Sequence, residues 1–348
     1  MISRKKQSVT VADVAKLAGV SSMTVSRVLN NSPKVSKAAL ESVQTAMHAL
    51  NYRKNMAARN LRVSSGMYIG LLYSNPSSSY LSEFILGALS GCRDLGQFLF
   101  LDEPEMLDGA VDLLALEKRI RQSSTQAVVV TPPLSSEAAL IEMLDEMQIP
   151  HICVNPRKNY EPALSISIDE YQAAREMMKY LHDLGHRDIG IITGNSNSRE
   201  NDPRLDGVYQ ANAERNIVLA SNLIQTGDYT FASGLLATNK LLDGLVRPTA
   251  IFAFNDDMAA GAISAVHQSG LNIPRDISIV GFDDVPKASL LSPGLTTVRQ
   301  PIREMAKQTV QLLTASVAGE LTERESFRFD YELVIRSSAA RNDLAGEG

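Results

Sequence analysis

The 348-residue sequence predicts a small all-α helix-turn-helix headpiece followed by an α/β body of two similar lobes with parallel sheets. Three observations lead there. Basic residues crowd into the first sixty-five positions. Apolar residues recur in that segment at helical spacing, broken by turn signals. From residue 67 the pattern changes to short, continuous apolar runs separated by amphipathic stretches of helix length. The length suits two or three folding units, and 44% hydrophobic residues supply enough apolar mass to give each a core.

The charge is segregated. Residues 1–65 hold eleven Lys and Arg against Asp13 and Glu41, a net of +9, whereas the other 283 residues carry 23 basic against 37 acidic side chains, or −14. A small basic head on a large acidic body is the electrostatic layout of a nucleic-acid binder whose body is not the binding surface. A solvated basic tail would show the same charge, but this segment is patterned to fold. Thr10 precedes Val11-Ala12-Asp13, a cap with an acid in the first turn, and Val14, Ala15, Leu17 and Ala18 follow before Gly19 stops the helix. Ser21 can cap a second helix carrying Val25, Val28 and Leu29. After Asn30-Asn31-Ser32-Pro33, Ser36 can cap a third, with Leu40, Val43, Met47 and Leu50 on one face. Three short helices sharing one apolar centre, the first two joined through a glycine turn, read as helix-turn-helix.

In the body, candidate strands are 68–73, 98–101, 127–130 and 152–154, then 189–192, 217–219, 250–254 and 277–280. Continuous apolar strands alternating with helices argue for parallel sheets covered on both faces. Two such sets give two lobes, and ligands bind such sheets at the carboxyl ends of the strands.

Several functions are excluded or disfavoured. No apolar run approaches the eighteen residues of a membrane span, and the basic N-terminus leads into no signal-peptide core. Cys92 and Cys153 are too few for a disulfide framework, which fits a reduced, cytoplasmic compartment. No phosphate loop, H-E-x-x-H, Cys/His cluster or nucleophile elbow is present, so no enzyme, metal or cofactor is expected. The pairs Asp256-Asp257 and Asp283-Asp284 are explained by helix starts more simply than by acid–base work, with Asp284 read as a cap. His48 and His182 are expected to be solvated on helices.

The stretch Val9-Thr10-Val11-Ala12-Asp13-Val14-Ala15 through Gly19-Val20-Ser21, then Thr24-Val25-Ser26-Arg27-Val28-Leu29-Asn30, resembles the headpiece of the lactose-repressor-type (LacI/GalR) bacterial transcription regulators. Val35-Ser36 and Leu50-Asn51-Tyr52 continue the match. The resemblance implies that residues 21–29 form a recognition helix in the major groove, with Ser22 and Met23 where the family varies its preference and Arg27 at a base-reading position. Arginine can give two hydrogen bonds to guanine O6 and N7, whereas Met23 reads shape or a thymine methyl. Thr24, Ser26 and Asn30 fall at phosphate anchors, and Thr10, Ser21 and Lys34 complete the DNA-contact set. Asn55, Ala58, Leu61 and Arg62 match the family's hinge, which folds over DNA and pushes an apolar wedge, here Leu61, into the minor groove. Lys54 stands where the family usually has proline, exchanging a fixed φ for a cation.

The resemblance extends through Asp169, Gly185-His186, Phe254-Asn255-Asp256-Asp257-Met258-Ala259, Ile279-Val280-Gly281-Phe282-Asp283-Asp284 and Leu295-Thr296-Thr297-Val298. It implies a periplasmic-binding-protein-like body and these domains: headpiece 1–50, hinge 51–66, effector-binding and dimerisation domain 67–338, and a disordered tail 339–348. Lobe 1 is expected at about 67–167 and 298–322, lobe 2 at about 168–297 and 323–338. The implied effector contacts are Arg204, Tyr229, Asn255 and Asp283, with Ser74, Thr131, Asn155 and Gln300 as weaker candidates. Tyr73 and Tyr80 could close over a ligand or simply pack. Asn155-Pro156-Arg157 departs from the acidic residue and arginine of many relatives, which keeps an uncharged saccharide as the expected effector. The function implied is a dimeric repressor of a carbohydrate-utilisation operon that binds a near-palindromic operator. The alternatives are a co-repressor-dependent regulator and a soluble sugar-binding carrier of the same fold. The C-terminus shows no heptad pattern, so a coiled-coil tetramer is not expected.

Overall fold

A computed structural model describes residues 11–21, 24, 25, 28, 37–49, 66–107, 110–157, 162–194, 202–321 and 325–342. The chain divides into two compact units, residues 1–66 and 67–348.

In the first unit, α1 (Val11–Ala18) ends at Gly19, whose φ of 66° lies in the left-handed region that glycine adopts without strain. The Val20 N–H then donates back to the Ala15 carbonyl. Ser21 starts the next helical segment, which contains Thr24, Val25 and Val28, and α2 (Lys37–Ala49) follows. Ala15, Val25, Val28, Val43 and Ala46 form the centre of this unit, with Ala18, Val20 and Met47 packed around them. Two large expected apolar residues stay out of it. Leu17 is 54% exposed and Leu40 sits at the rim, because so narrow a core is closed by Ala and Val at the helix crossings.

In the second unit the order is β1 (Tyr68–Leu72), α3 (Ser78–Leu95), β2 (Phe98–Asp102), the hairpin strands β3 (Met106–Leu107) and β4 (Ala110–Val111), α4 (Leu113–Gln122), β5 (Ala127–Val130), α5 (Ala138–Glu146), β6 (His151–Val154) and β7 (Leu164–Ile168). Next come α6 (Glu170–Asp183), β8 (Ile189–Thr193), α7 (Pro203–Ala213), β9 (Ile224–Thr226), α8 (Phe231–Leu242), β10 (Ala250–Ala253), α9 (Asp256–Gln268), β11 (Ser278–Asp283) and β12 (Thr296–Arg299). The last elements are α10 (Ile302–Val317), β13 (Glu325–Phe329) and β14 (Glu332–Val334).

Two six-stranded sheets result. The first has the order β13-β7-β6-β5-β1-β2 and is wholly parallel. The second, β14-β12-β11-β10-β8-β9, is parallel except for the antiparallel edge strand β14. Strands β5, β6, β8, β10 and β11 are buried along their whole length, as continuous apolar runs between two helical layers should be. In each sheet the winding reverses once, between β1 and β5 and between β8 and β10. Crevices open at such switch points.

The chain passes between the lobes three times: from β7 to α6, from β12 to α10, and from β13 to β14. The second passage lies just beyond Arg299 rather than at 298, because β12 completes its register with β11 through Asp283↔Arg299. The third lies at 330–331 rather than 323, because β13 pairs with β7 of the first sheet from Glu325↔Leu164 to Phe329↔Ile168. The strand expected at 217–219 is also displaced. Val218 is 91% exposed, and the edge strand forms instead at Ile224–Thr226 beside β8. Nor is the start of the C-terminal tail loose: Ala340 N–H donates to Ser278 Oγ and Asn342 N–H to the Leu184 carbonyl, which ties 339–342 across the second lobe. Residues 343–348 lie outside the described residues. Among the described residues no helix is long and apolar enough to cross a membrane.

Candidate ligand cleft and DNA-reading head

In the head, Ser21 Oγ accepts the Thr24 N–H at 3.1 Å and lies 2.9 Å from Thr24 Oγ1. Ser21 is therefore the N-cap of the second helical segment, exposed, with Thr24 half-buried beside it. The other DNA-contact expectations, Thr10, Ser22, Met23, Ser26, Arg27, Asn30 and Lys34, lie outside the described residues. So do the hinge residues Asn55, Ala58, Leu61 and Arg62, and Lys54.

The cleft of the second unit is built from the carboxyl ends of strands in both sheets. The first sheet supplies Asn75, Ser77 and Tyr80 after β1, Pro132, Pro133 and Ser136 after β5, and Asn155 and Arg157 after β6. The second lobe supplies Glu170 at the start of α6, Asp202, Pro203 and Arg204 at the start of α7, Tyr229 after β9, Asn255 after β10 and Asp283 at the end of β11. Three of these residues hold positive φ although none is glycine: Asn155 at 44°, Tyr229 at 69° and Asp283 at 116°. Backbone strain of this kind persists only where surrounding contacts impose it, and it gathers at binding sites.

Those contacts are specific. Asn155 Oδ1 accepts the Ile168 N–H at 3.2 Å, which ties the end of β6 to the end of β7. Asn255 caps α9 by accepting from Met258 N at 2.9 Å, and its Nδ2 donates to the Tyr229 carbonyl at 2.9 Å. The Tyr229 ring lies against Gly194, where even a Cβ would come within 2.2 Å of it. Gln300 Nε2 donates to Asp283 Oδ1 at 2.6 Å.

Arg204 is the electrostatic centre. Its Nη2 donates to Glu170 Oε1 at 2.6 Å, its Nη1 donates to the Phe254 carbonyl, and its guanidinium lies 3.9 Å from the centroid of the Phe282 ring. Burial opposes its charge, but Glu170 and Asp283 outweigh that and hold it cationic above the ordinary arginine range. Asp283 is pushed up to about 7, chiefly by burial, with Arg204 and the Gln300 hydrogen bond pulling the other way. Burial raises Asp202 as well, against Arg204 and the backbone N–H groups that it caps. Tyr80 and Tyr229 are driven up by burial and remain neutral phenols.

A second polar cluster joins the lobes. Asp257 of α9 accepts from Ser77 Oγ at 2.6 Å and from Ser79 Oγ at 3.1 Å, both at the start of α3, and Lys287 Nζ completes its shell. Asp256 is structural. It accepts from Thr297 Oγ1 at 2.6 Å and Val285 N at 2.9 Å, and burial raises it well above the ordinary carboxylate range.

Of the eight expected effector contacts, Asn155, Arg204, Tyr229, Asn255 and Asp283 line the cleft. The other three do not. Thr131 is buried and donates to the Leu72 carbonyl at 2.9 Å, Gln300 sits behind Asp283, and Ser74 is half-buried next to the lining residue Asn75. Tyr80 lines the cleft, whereas Tyr73 turns towards Glu103. Asp284 is no cap: it pairs with Arg299 and Arg336, each at 2.7 Å. His182 is 1% exposed, with Nδ1 on the His186 carbonyl and its pKa lowered by burial. Sequence reasoning missed Asn75, Ser77, Pro132, Ser136, Glu170 and Asp202. The available signal was position: each stands within a few residues of a strand end or at a helix cap.

Comparison with known proteins agrees with this architecture. Residues 10–55 match the bacterial regulatory proteins of the lacI family, and residues 178–339 match a periplasmic binding protein-like domain. The chain is 33% identical over 337 residues to the HTH-type transcriptional repressor PurR of Vibrio campbellii, covering 95% of this chain and 99% of that one. Among solved structures, the lac repressor dimer bound to operator and the anti-inducer ONPF superposes with a TM-score of 0.70 at 28% identity, covering 96% of this chain and all of that one. The transcriptional regulator CelR in complex with cellobiose gives 0.70 at 27% identity, over 95% of this chain and all of that one. The chain belongs to the LacI family of bacterial DNA-binding transcription regulators.

Proposed function

We propose that the chain is a homodimeric repressor whose affinity for a near-palindromic operator is set by a small saccharide held in the cleft. The observation that carries this reading is the convergence of Asn155, Arg204, Tyr229 and Asp283 on one cleft at the carboxyl ends of both sheets. Hydroxyl pairs need donors and acceptors beside an apolar face, and Asn75, Tyr80, Ser136 and Asn155 bring the former while Pro132, Pro133 and Tyr229 bring the latter. The solved relative with cellobiose supports a saccharide, and the lac repressor dimer on its operator supports both the DNA target and the dimer. On this chain the edge strand β2 leaves Phe98, Phe100 and Leu101 about half exposed, with Leu86 and Leu89 of α3 also open. An apolar sheet edge of this kind asks for a second copy. The head, residues 1–50, reads the major groove through Arg27, residues 51–66 act as the hinge, and the protein works in the cytoplasm, where the operator is.

The test is a gel-shift titration against DNA upstream of this protein's gene and its neighbours, at two salt concentrations, with a panel of saccharides, nucleobases and nucleosides. A specific shift reversed by one saccharide supports the reading. A shift that requires the compound reverses the logic to co-repression, and response to a nucleobase alone overturns the saccharide. No specific shift, with a sugar still bound in calorimetry, favours a carrier of the same fold.

A further inference from the structure

Four helices, α3, α6, α7 and α9, begin at the cleft. A helix N-terminus carries partial positive charge and open N–H groups, and therefore attracts anions. Here the chain closes each of them itself. Ser77 accepts from Tyr80 N, Asp169 from Gln172 N, Asp202 from Arg204 N and Leu205 N, and Asn255 from Met258 N. Two of those caps are carboxylates, and Glu170 and Asp257 add negative charge in the first turns of α6 and α9.

Arg204 is a natural anchor for a phosphate or carboxylate, because a guanidinium can grip either with two parallel hydrogen bonds. Its donors are instead directed at Glu170 and the Phe254 carbonyl, and its flat face covers Phe282. Arg157, on the opposite wall, is not free either. An incoming anion would have to displace Glu170 from Arg204. A cation fares no better. Glu170 is committed to Arg204, Asp283 to Gln300 and Asp202 to backbone N–H groups.

We infer that Glu170 is a specificity determinant: by occupying Arg204 it excludes phosphorylated and carboxylated compounds, and the effector is an uncharged, hydroxyl-bearing molecule. This inference rests on the reading of the cleft as the effector site. Its test does not need the effector. Inorganic sulfate is titrated by calorimetry into the full chain at ionic strength matched with sodium chloride, for wild type, E170Q and E170Q/R204Q. The basic head is common to all three and cancels in the comparison. E170Q gains a saturable sulfate site at least tenfold tighter than wild type, and E170Q/R204Q returns to the wild-type response. A wild type that already binds sulfate more tightly than E170Q/R204Q overturns the assignment, as does an E170Q that gains nothing. If E170Q fails to melt cooperatively, wild type against E170Q/R204Q decides alone: equal responses support the inference and a stronger wild type sinks it. The expected sulfate pattern, together with operator binding indifferent to every uncharged saccharide and nucleoside, would remove the effector reading while leaving the charge role of Glu170 in place.

Discussion

The two walls of the cleft are made of different chemistry. The first lobe presents mostly neutral groups, Asn75, Ser77, Tyr80, Ser136 and Asn155 with two prolines, and Arg157 is its charged member. The second lobe presents Glu170, Asp202, Arg204 and Asp283 beside the neutral Pro203, Tyr229 and Asn255. Charges already satisfied on one wall hold a fixed geometry, since each member of a buried pair would be costly to strand. The neutral groups on the other wall are held as well, Ser77 by Asp257 and Asn155 by the Ile168 N–H, but none of them carries a charge that needs a counter-ion. On the proposed reading, the fixed charged wall of the second lobe orients the effector.

The largest expected effect comes from breaking the charged wall. R204Q leaves the partly buried Glu170 without its partner and should cost about 3 kcal/mol, the low end for such a pair. In denaturant melts, E170Q/R204Q should lose less than the two single variants combined. Additive losses would mean that the pair is not a unit.

Next is the contact that joins the walls. D257A removes the acceptor shared by Ser77 and Ser79 and should cost about 2 kcal/mol, with about tenfold weaker effector binding. Unchanged binding in calorimetry would separate this contact between the lobes from the ligand site.

A smaller pair of variants sharpens the same point. S77A loses both the helix cap and the bond to Asp257, about 1 kcal/mol for the cap alone, whereas S79A loses only its bond. Thermal melts should rank S77A as the more damaging. The reverse order would place the importance in Ser79.

The charged wall also sets a pH slope. Asp283 has its pKa raised from 3.8 to about 7, so the folded state holds that proton more tightly than the unfolded chain. Its contribution to stability is complete at acid pH and is lost as pH rises through about 7. D283N should flatten the fall in melting temperature across that window. An identical slope in both proteins would assign it elsewhere.

Much of the fold was legible because it is local. Gly19 and Ser21 sit where one helix must stop and the next begin, and central runs such as 127–130 and 189–192 are apolar on every residue because both faces are covered. The edges were less legible. An edge strand is covered on fewer sides, so Ile224–Thr226 carries no apolar signature, and the apolar triplet at 217–219, of which Val218 is open to solvent, imitated one. In the cleft, Asn155, Arg204, Tyr229, Asn255 and Asp283 could be named through family resemblance, but their states could not.

The order of helices and strands, the segregated charge and the identity of the head follow from residues near one another in the chain, where caps, turns and apolar periodicity act. The sign of the cleft does not. Glu170 meets Arg204 across 34 positions and Ser77 meets Asp257 across 180. Only the winding of two sheets brings such groups together, and only their burial decides which charges are spent on each other and which groups are left for a ligand.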